Sequence, residues 1–116
     1  MANILCIGID DPAMQMKQAA LERAEHTVSL AKDVRQVVAA CSGIQFDVIL
    51  IGHSLPAKEK LRVHELLQDR CNGAKILEQH VAGPELAVAD AHVSASESAE
   101  DLVAVVKTLI SERKSA

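Results

Sequence analysis

Two short, nearly unbroken apolar runs, residues 4–9 and 48–51, constrain this chain more than any other feature. A strand with one wet face alternates apolar and polar residues. A run without that alternation suits a strand buried on both faces, as in a parallel sheet covered by helices. Both runs are far shorter than the roughly 20 residues that cross a bilayer, so neither spans a membrane. Turn chemistry closes each run: Asp10-Asp11-Pro12 follows the first and Gly52-His53-Ser54-Leu55-Pro56 the second.

The remaining segments alternate around these two. Asp11 before Pro12 suits an N-cap followed by the first helical position, because Asp accepts free backbone N–H groups and Pro has none to lose. A helix to about Ala24 follows, with Met14 in its core and Met16 at its rim. Residues 26–31 predict a short strand around Val28 and Leu30. Asp33 is placed to cap a second helix, whose Val34, Val37, Val38 and Cys41 fall at i, i+3, i+4, i+7 and which Gly43 stops. Residues 46–51 are the third strand and 57–71 an amphipathic helix ending near Asn72-Gly73. In that helix Lys58-Glu59-Lys60 reads as a solvated, charged face. Residues 75–81 and 91–95 are the last two strands. Between them Gly83-Pro84 leaves room for one or two helical turns at most. Ser98-Ala99-Glu100-Asp101 resembles a capping box ahead of the stripe Leu102, Val105, Val106, Leu109 and Ile110, with a charged, fraying tail.

Strand and helix alternate throughout, which predicts one doubly wound, five-stranded parallel α/β domain over residues 1–116. Right-handed crossovers put helices on both faces in a three-layer sandwich, with a shortened fourth helix. In such sheets the functional crevice lies at the carboxyl ends of the strands. Asp10, Asp11 and residues 52–56, 80–83 and 94–97 are therefore the ones to watch.

Composition removes several function classes. Apolar residues at 49% and charged residues at 24% argue against disorder. The net charge of -4, without a basic run, argues against phosphate-backbone binding, and Phe46 as sole aromatic argues against base stacking. No secretory leader precedes the first strand, so a reducing cytoplasm is expected, with Cys6, Cys41 and Cys71 as buried free thiols. No nucleophile elbow, Gly-rich phosphate loop or paired acid and base is present, and the expectation is not an enzyme.

Two stretches resemble bacterial response-regulator receiver domains (the CheY-like superfamily): Ile-Asp-Asp-Pro at 9–12 and Phe-Asp-Val-Ile-Leu-Ile-Gly-His-Ser-Leu-Pro at 46–56. The resemblance covers essentially the whole chain and implies a flavodoxin-like, receiver-like fold. In that family an acidic pair after the first strand holds Mg²⁺, and an Asp four residues before a Pro at the end of the third accepts a phosphoryl group. Here the Pro is Pro56, but the acceptor position is Gly52, and the acidic pair becomes Ile9 and Asp10, with Asp11 beside them. The family's fourth-strand hydroxyl falls near His80, and its fifth-strand aromatic and Lys near His92 and Ala95. The resemblance therefore implies a pseudo-receiver, a two-component signalling domain that has lost aspartyl phosphorylation and acts by protein–protein interaction. A signalling kinase or an output protein is the implied partner, and a homodimer is possible; no nucleic acid or membrane is involved. No cofactor is required, although Asp10 and Asp11 are the residues that would hold Mg²⁺. The alternative is a metal- or small-ligand-sensing crevice, with Asp10, Asp11, His53, His80 and His92 as candidate ligands.

Overall fold

The apolar runs become strands whose successive residues face opposite layers. In the computed structural model, which describes residues 2–71 and 73–115, β1 is Asn3–Ile7, α1 Asp11–Arg23, β2 Thr27–Ala31, α2 Val34–Gly43, β3 Val48–Ile51, α3 Ala57–Arg70, β4 Lys75–His80, β5 Ala91–Ser94 and α4 Ala99–Ser115. All five strands are parallel, in the order β2-β1-β3-β4-β5. Leu5, Ile7, Ile49 and Ile51 point to one face, where they pack with Val37 of α2 and Val63 and Leu67 of α3. Ile4, Cys6, Val48 and Leu50 point to the other, against Leu21 of α1 and Leu102, Val106 and Leu109 of α4. This two-sided burial is why β1 and β3 show no alternation in sequence.

Local capping sets the helix starts. Asp33 Oδ1 accepts the Gln36 N–H at 2.8 Å and Ser98 Oγ accepts the Asp101 N–H at 3.2 Å, as the sequence predicts. At α1 the cap is Asp10 rather than Asp11, with Oδ1 accepting the Ala13 N–H at 3.4 Å. Strand β1 ends at Ile7, two residues earlier than its apolar run, which leaves room for the cap to move back by one. Asn72 of the expected turn after α3, and the final residue of the expected fraying tail, lie outside the described residues.

Three further expectations do not hold. No helix, even a shortened one, joins β4 to β5: residues 81–90 form turns, and Leu86 plugs the α2–α3 side of the core in its place. Lys60 is not on a solvated face. It is 0% exposed and its Nζ donates to Glu78 Oε2 at 2.8 Å, Glu85 Oε1 at 2.9 Å and the Gln79 carbonyl at 3.0 Å. Glu78, equally buried, also accepts the Glu85 and Leu86 N–H groups at 3.0 and 3.1 Å, which ties the 81–90 segment onto the sheet. Finally, Cys41 and Cys71 are not free thiols. The crossovers bring the ends of α2 and α3 together on one face, and the two residues form a disulfide across a Cα separation of 5.5 Å. Cys6 alone is a buried free thiol, with burial pushing its pKa up to about 12 against the opposing pull of Lys17.

Candidate functional site

The β1–β3 register, Ile7 beside Ile51, brings Gly8 and Gly52 together at the carboxyl edge of the sheet. Ser54 Oγ stitches this edge by accepting the Ile9 N–H at 2.9 Å and, more weakly, the Asp10 N–H at 3.4 Å. A Cβ at Gly8 would lie 3.1 Å from that oxygen, so the small residue makes the close approach possible. At Gly52 the restriction is stronger: a Cβ would lie 2.9 Å from the Ile7 carbonyl oxygen and 3.0 Å from Lys17 Nζ. Position 52 therefore carries no carboxylate, and a side chain there would require the Ile7 carbonyl to shift.

Lys17 is the residue that sequence reading missed. It is only 7% exposed, with no hydrogen bond or ion pair among the described residues, and its ammonium lies against the place a residue-52 side chain would take. Burial pushes its pKa down, partly offset by attraction to Cys6 and to the Asp10 carboxylate. Its sequence signal is weak, since one Lys in the first helix of an amphipathic pattern reads as surface.

The other candidates are scattered rather than convergent. Asp10 caps α1, and Asp11 is exposed and paired with Lys32. His53 Nδ1 lies 2.9 Å from Gln79 Oε1, a hydrogen bond that requires the proton on Nδ1. The Ile51–Glu78 register places Gln79, not His80, level with Gly52. His80 ends β4 with its buried Nδ1 unpartnered, while its carbonyl accepts the Ala95 N–H at 2.7 Å. His92 turns away into the 81–90 segment, its Nε2 2.8 Å from the Leu86 carbonyl and 3.5 Å from Glu78 Oε1. Pro56 is the N-cap residue of α3, without a side-chain capping bond. Ala95, just past β5, carries no charge.

No three His, Cys, Asp or Glu side chains among the described residues are grouped to hold a metal ion. A Mg²⁺ ion does not fit at Asp10 and Asp11 either, since one carboxylate is committed to a helix cap, the other to Lys32, and the Lys17 ammonium occupies the adjoining position. The arrangement suits a fixed internal cation, not a coordination site. The carboxyl edge also holds a cavity of about 140 Å³ between α1, β5 and the start of α4, lined by Ala13, Met16, Lys17, Gln79, Ser94 and Ala99 among others.

No family model and no curated protein matches the sequence significantly. Solved structures do match the fold. The chain superposes on the receiver domain of the Francisella response regulator 1452 with a TM-score of 0.81 at 15% identity, over 97% of this chain and 98% of that one. A CheY-like response-regulator receiver domain from Methanospirillum hungatei gives 0.79 at 21% identity, over 99% and 98%. A response regulator from Thermotoga maritima gives 0.84 at 14% identity, over 96% and 98%. With its five parallel strands in the order 2-1-3-4-5, the chain has the flavodoxin-like fold of response-regulator receiver domains.

Proposed function

We propose that this chain is a receiver-like signalling domain of the two-component type that works without aspartyl phosphorylation, by docking to a protein partner. The reading is carried by position 52, which is a glycine and where the Ile7 carbonyl and the Lys17 ammonium crowd the place of a side chain that would accept a phosphoryl group. Fold alone is only analogy for function, and position 52 is where this chain's own chemistry bears on phosphoryl transfer. Phosphoryl transfer needs an acceptor, a metal held by carboxylates and a cation that follows the transferred charge. Gly52 lacks the first, Asp10 and Asp11 are committed elsewhere, and Ala95 lacks the last. The partner is a kinase-side or output-side protein, and no reaction is assigned to this domain.

Incubation with acetyl phosphate and Mg²⁺, read by intact mass under acidic and alkaline quench, should give no phosphoryl adduct. An alkali-labile adduct would place the chemistry on Asp10 or Asp11, and an acid-labile one on His53 or His80; either would sink the proposal. The variant Gly52→Asp should also stay unmodified and lose about 2 kcal/mol or more in urea unfolding, because its Cβ must displace the Ile7 carbonyl.

A further inference from the structure

Among the described residues, α2 is the least anchored helix. Its ten residues bury Val37 alone, whereas α1 and α3 each bury four side chains and α4 buries Leu102, Val106 and Leu109. Composition does not hold it either. Val34, Val37, Val38, Ser42 and Gly43 are all weak helix formers, and a helix this short is unstable in isolation. Its two halves differ. The N-terminal half is tied by the Asp33 cap and by Gln36 Oε1, which accepts the Lys32 N–H at 2.7 Å. In the C-terminal half, Ser42 Oγ donates back to the Val38 carbonyl at 2.9 Å, a bond that slightly destabilises helices. That half is fixed instead by Cys41, bonded to Cys71 at the end of α3 and packed beside Ala40 at the margin of the core. Both cysteines are half-buried, and Cys71 lines a cavity of about 200 Å³ whose walls include the exposed Gln68 and Val88. A small reductant therefore has a route to the bond.

We propose that the Cys41–Cys71 bond is a redox switch for helix order. Oxidised, it holds the C-terminal half of α2 against α3; reduced by a dithiol, it lets residues 38–43 unfold locally while the sheet and the other helices stay folded. In the reducing step a thiolate of the dithiol bonds to Cys71 Sγ from the cavity side. The Cys41–Cys71 bond breaks, and Cys41 leaves as a thiolate and takes up a proton. The second thiol of the reductant then closes on the mixed disulfide and frees Cys71. Two electrons and two protons pass to the protein, and the dithiol becomes a cyclic disulfide. Order–disorder of one segment is an established kind of switch, and such segments come from the weakly packed end of a structure. Because α2 lies against β2 and α3, its order sets the shape of that face. The inference goes beyond the phosphorylation-independent reading and does not depend on it, since exchange in α2 and adduct formation are measured separately.

The test is amide hydrogen exchange of the full chain, oxidised and in dithiothreitol, repeated at several urea concentrations below the unfolding transition. In the reduced protein the Ala40, Cys41, Ser42 and Gly43 amides should exchange faster by on the order of 100-fold, at a rate that urea hardly changes, as local opening requires. The Leu5 and Ile49 amides should keep slow exchange that urea accelerates. Glutathione disulfide, added after removal of the dithiothreitol, should restore protection in α2. Gly43→Ala separates helix melting from simple loosening of a staple: an added Cβ meets nothing within 4 Å, and Ala favours the helix. It should slow exchange of the reduced α2 amides by roughly two- to fivefold. Unchanged protection of α2 on reduction overturns the proposal, as does loss of protection in step with Leu5 and Ile49, which would make the bond a global staple. Failure of glutathione disulfide to restore protection also overturns it. The unmutated protein decides the matter if Gly43→Ala folds poorly.

Discussion

At the scale of single residues, Lys17 and Gly52 form one unit. Glycine is required at 52 because backbone crowds its Cβ position, and the space beside it is taken by an ammonium that pays for its burial in desolvation. The folded-state pKa of Lys17 lies below its ordinary value of 10.5, so in the interval between them the unfolded chain binds the extra proton and stability rises with pH. Below that interval the charged amine is a constant burden. Lys17→Met should therefore stabilise the protein at neutral pH by about 1 kcal/mol, or roughly 4 °C in Tm. The advantage should shrink as pH climbs towards 10.5; thermal melts of both proteins across that range measure it. A variant less stable than the parent at neutral pH would show that the ammonium has a favourable partner.

At the scale of elements, the informative piece is the 81–90 segment, which replaces a helix with turns. Leu86 fills the core, and the buried Lys60–Glu78 pair holds the segment through the Glu85 and Leu86 amides. Removing one member of such a pair strands the other charge, so Lys60→Met should cost about 3–5 kcal/mol, while Lys60→Met with Glu78→Leu recovers much of it. Urea unfolding measures the cost, and hydrogen exchange at the Leu86 amide should speed up in the single variant first. Burial alone would raise the Glu78 pKa, but the Lys60 hydrogen bond, the Glu85 and Leu86 amides and the Lys60 charge outweigh it and hold it below the ordinary 4.5. A carboxylate with a depressed folded-state pKa contributes stability above 4.5 that is lost as pH falls through its folded-state value. Acid should accordingly loosen this segment, and the acid limb should flatten in the double variant.

At the scale of the whole molecule, the Cys41–Cys71 bond clamps the α2–α3 layer across a sequence separation of 30. Closing a loop of that length restricts the unfolded chain by about 3–4 kcal/mol, so reduction should lower stability by that amount. Alkylation of denatured protein should label one cysteine, Cys6, without reductant and three with it. Three labels in the unreduced protein would refute the pairing. No helix among the described residues is long and apolar enough to cross a membrane, in keeping with the short apolar runs. The fold was legible because its signals are local: the unbroken runs of β1 and β3, the caps Asp33 and Ser98, and the stripe of α4. The candidate site was legible only as a place, the carboxyl edge, and as a glycine at position 52.

The alternation of strands and helices from β1 to β4, the two-sided burial of the central strands and the glycine at position 52 were determined by the sequence alone, since each depends on near neighbours in the chain or on one residue's identity. The tertiary structure decided the rest. Lys60 pairs with Glu78 at a separation of 18, Cys41 with Cys71 at 30, and the Lys17 ammonium reaches Gly52 from a helix that packs against β1 and β2. A charged or sulfur-bearing side chain carries no mark of its eventual partner. Whether it is solvated, paired or left facing a cavity depends on which surfaces the crossovers press together, and no periodicity in the chain encodes that.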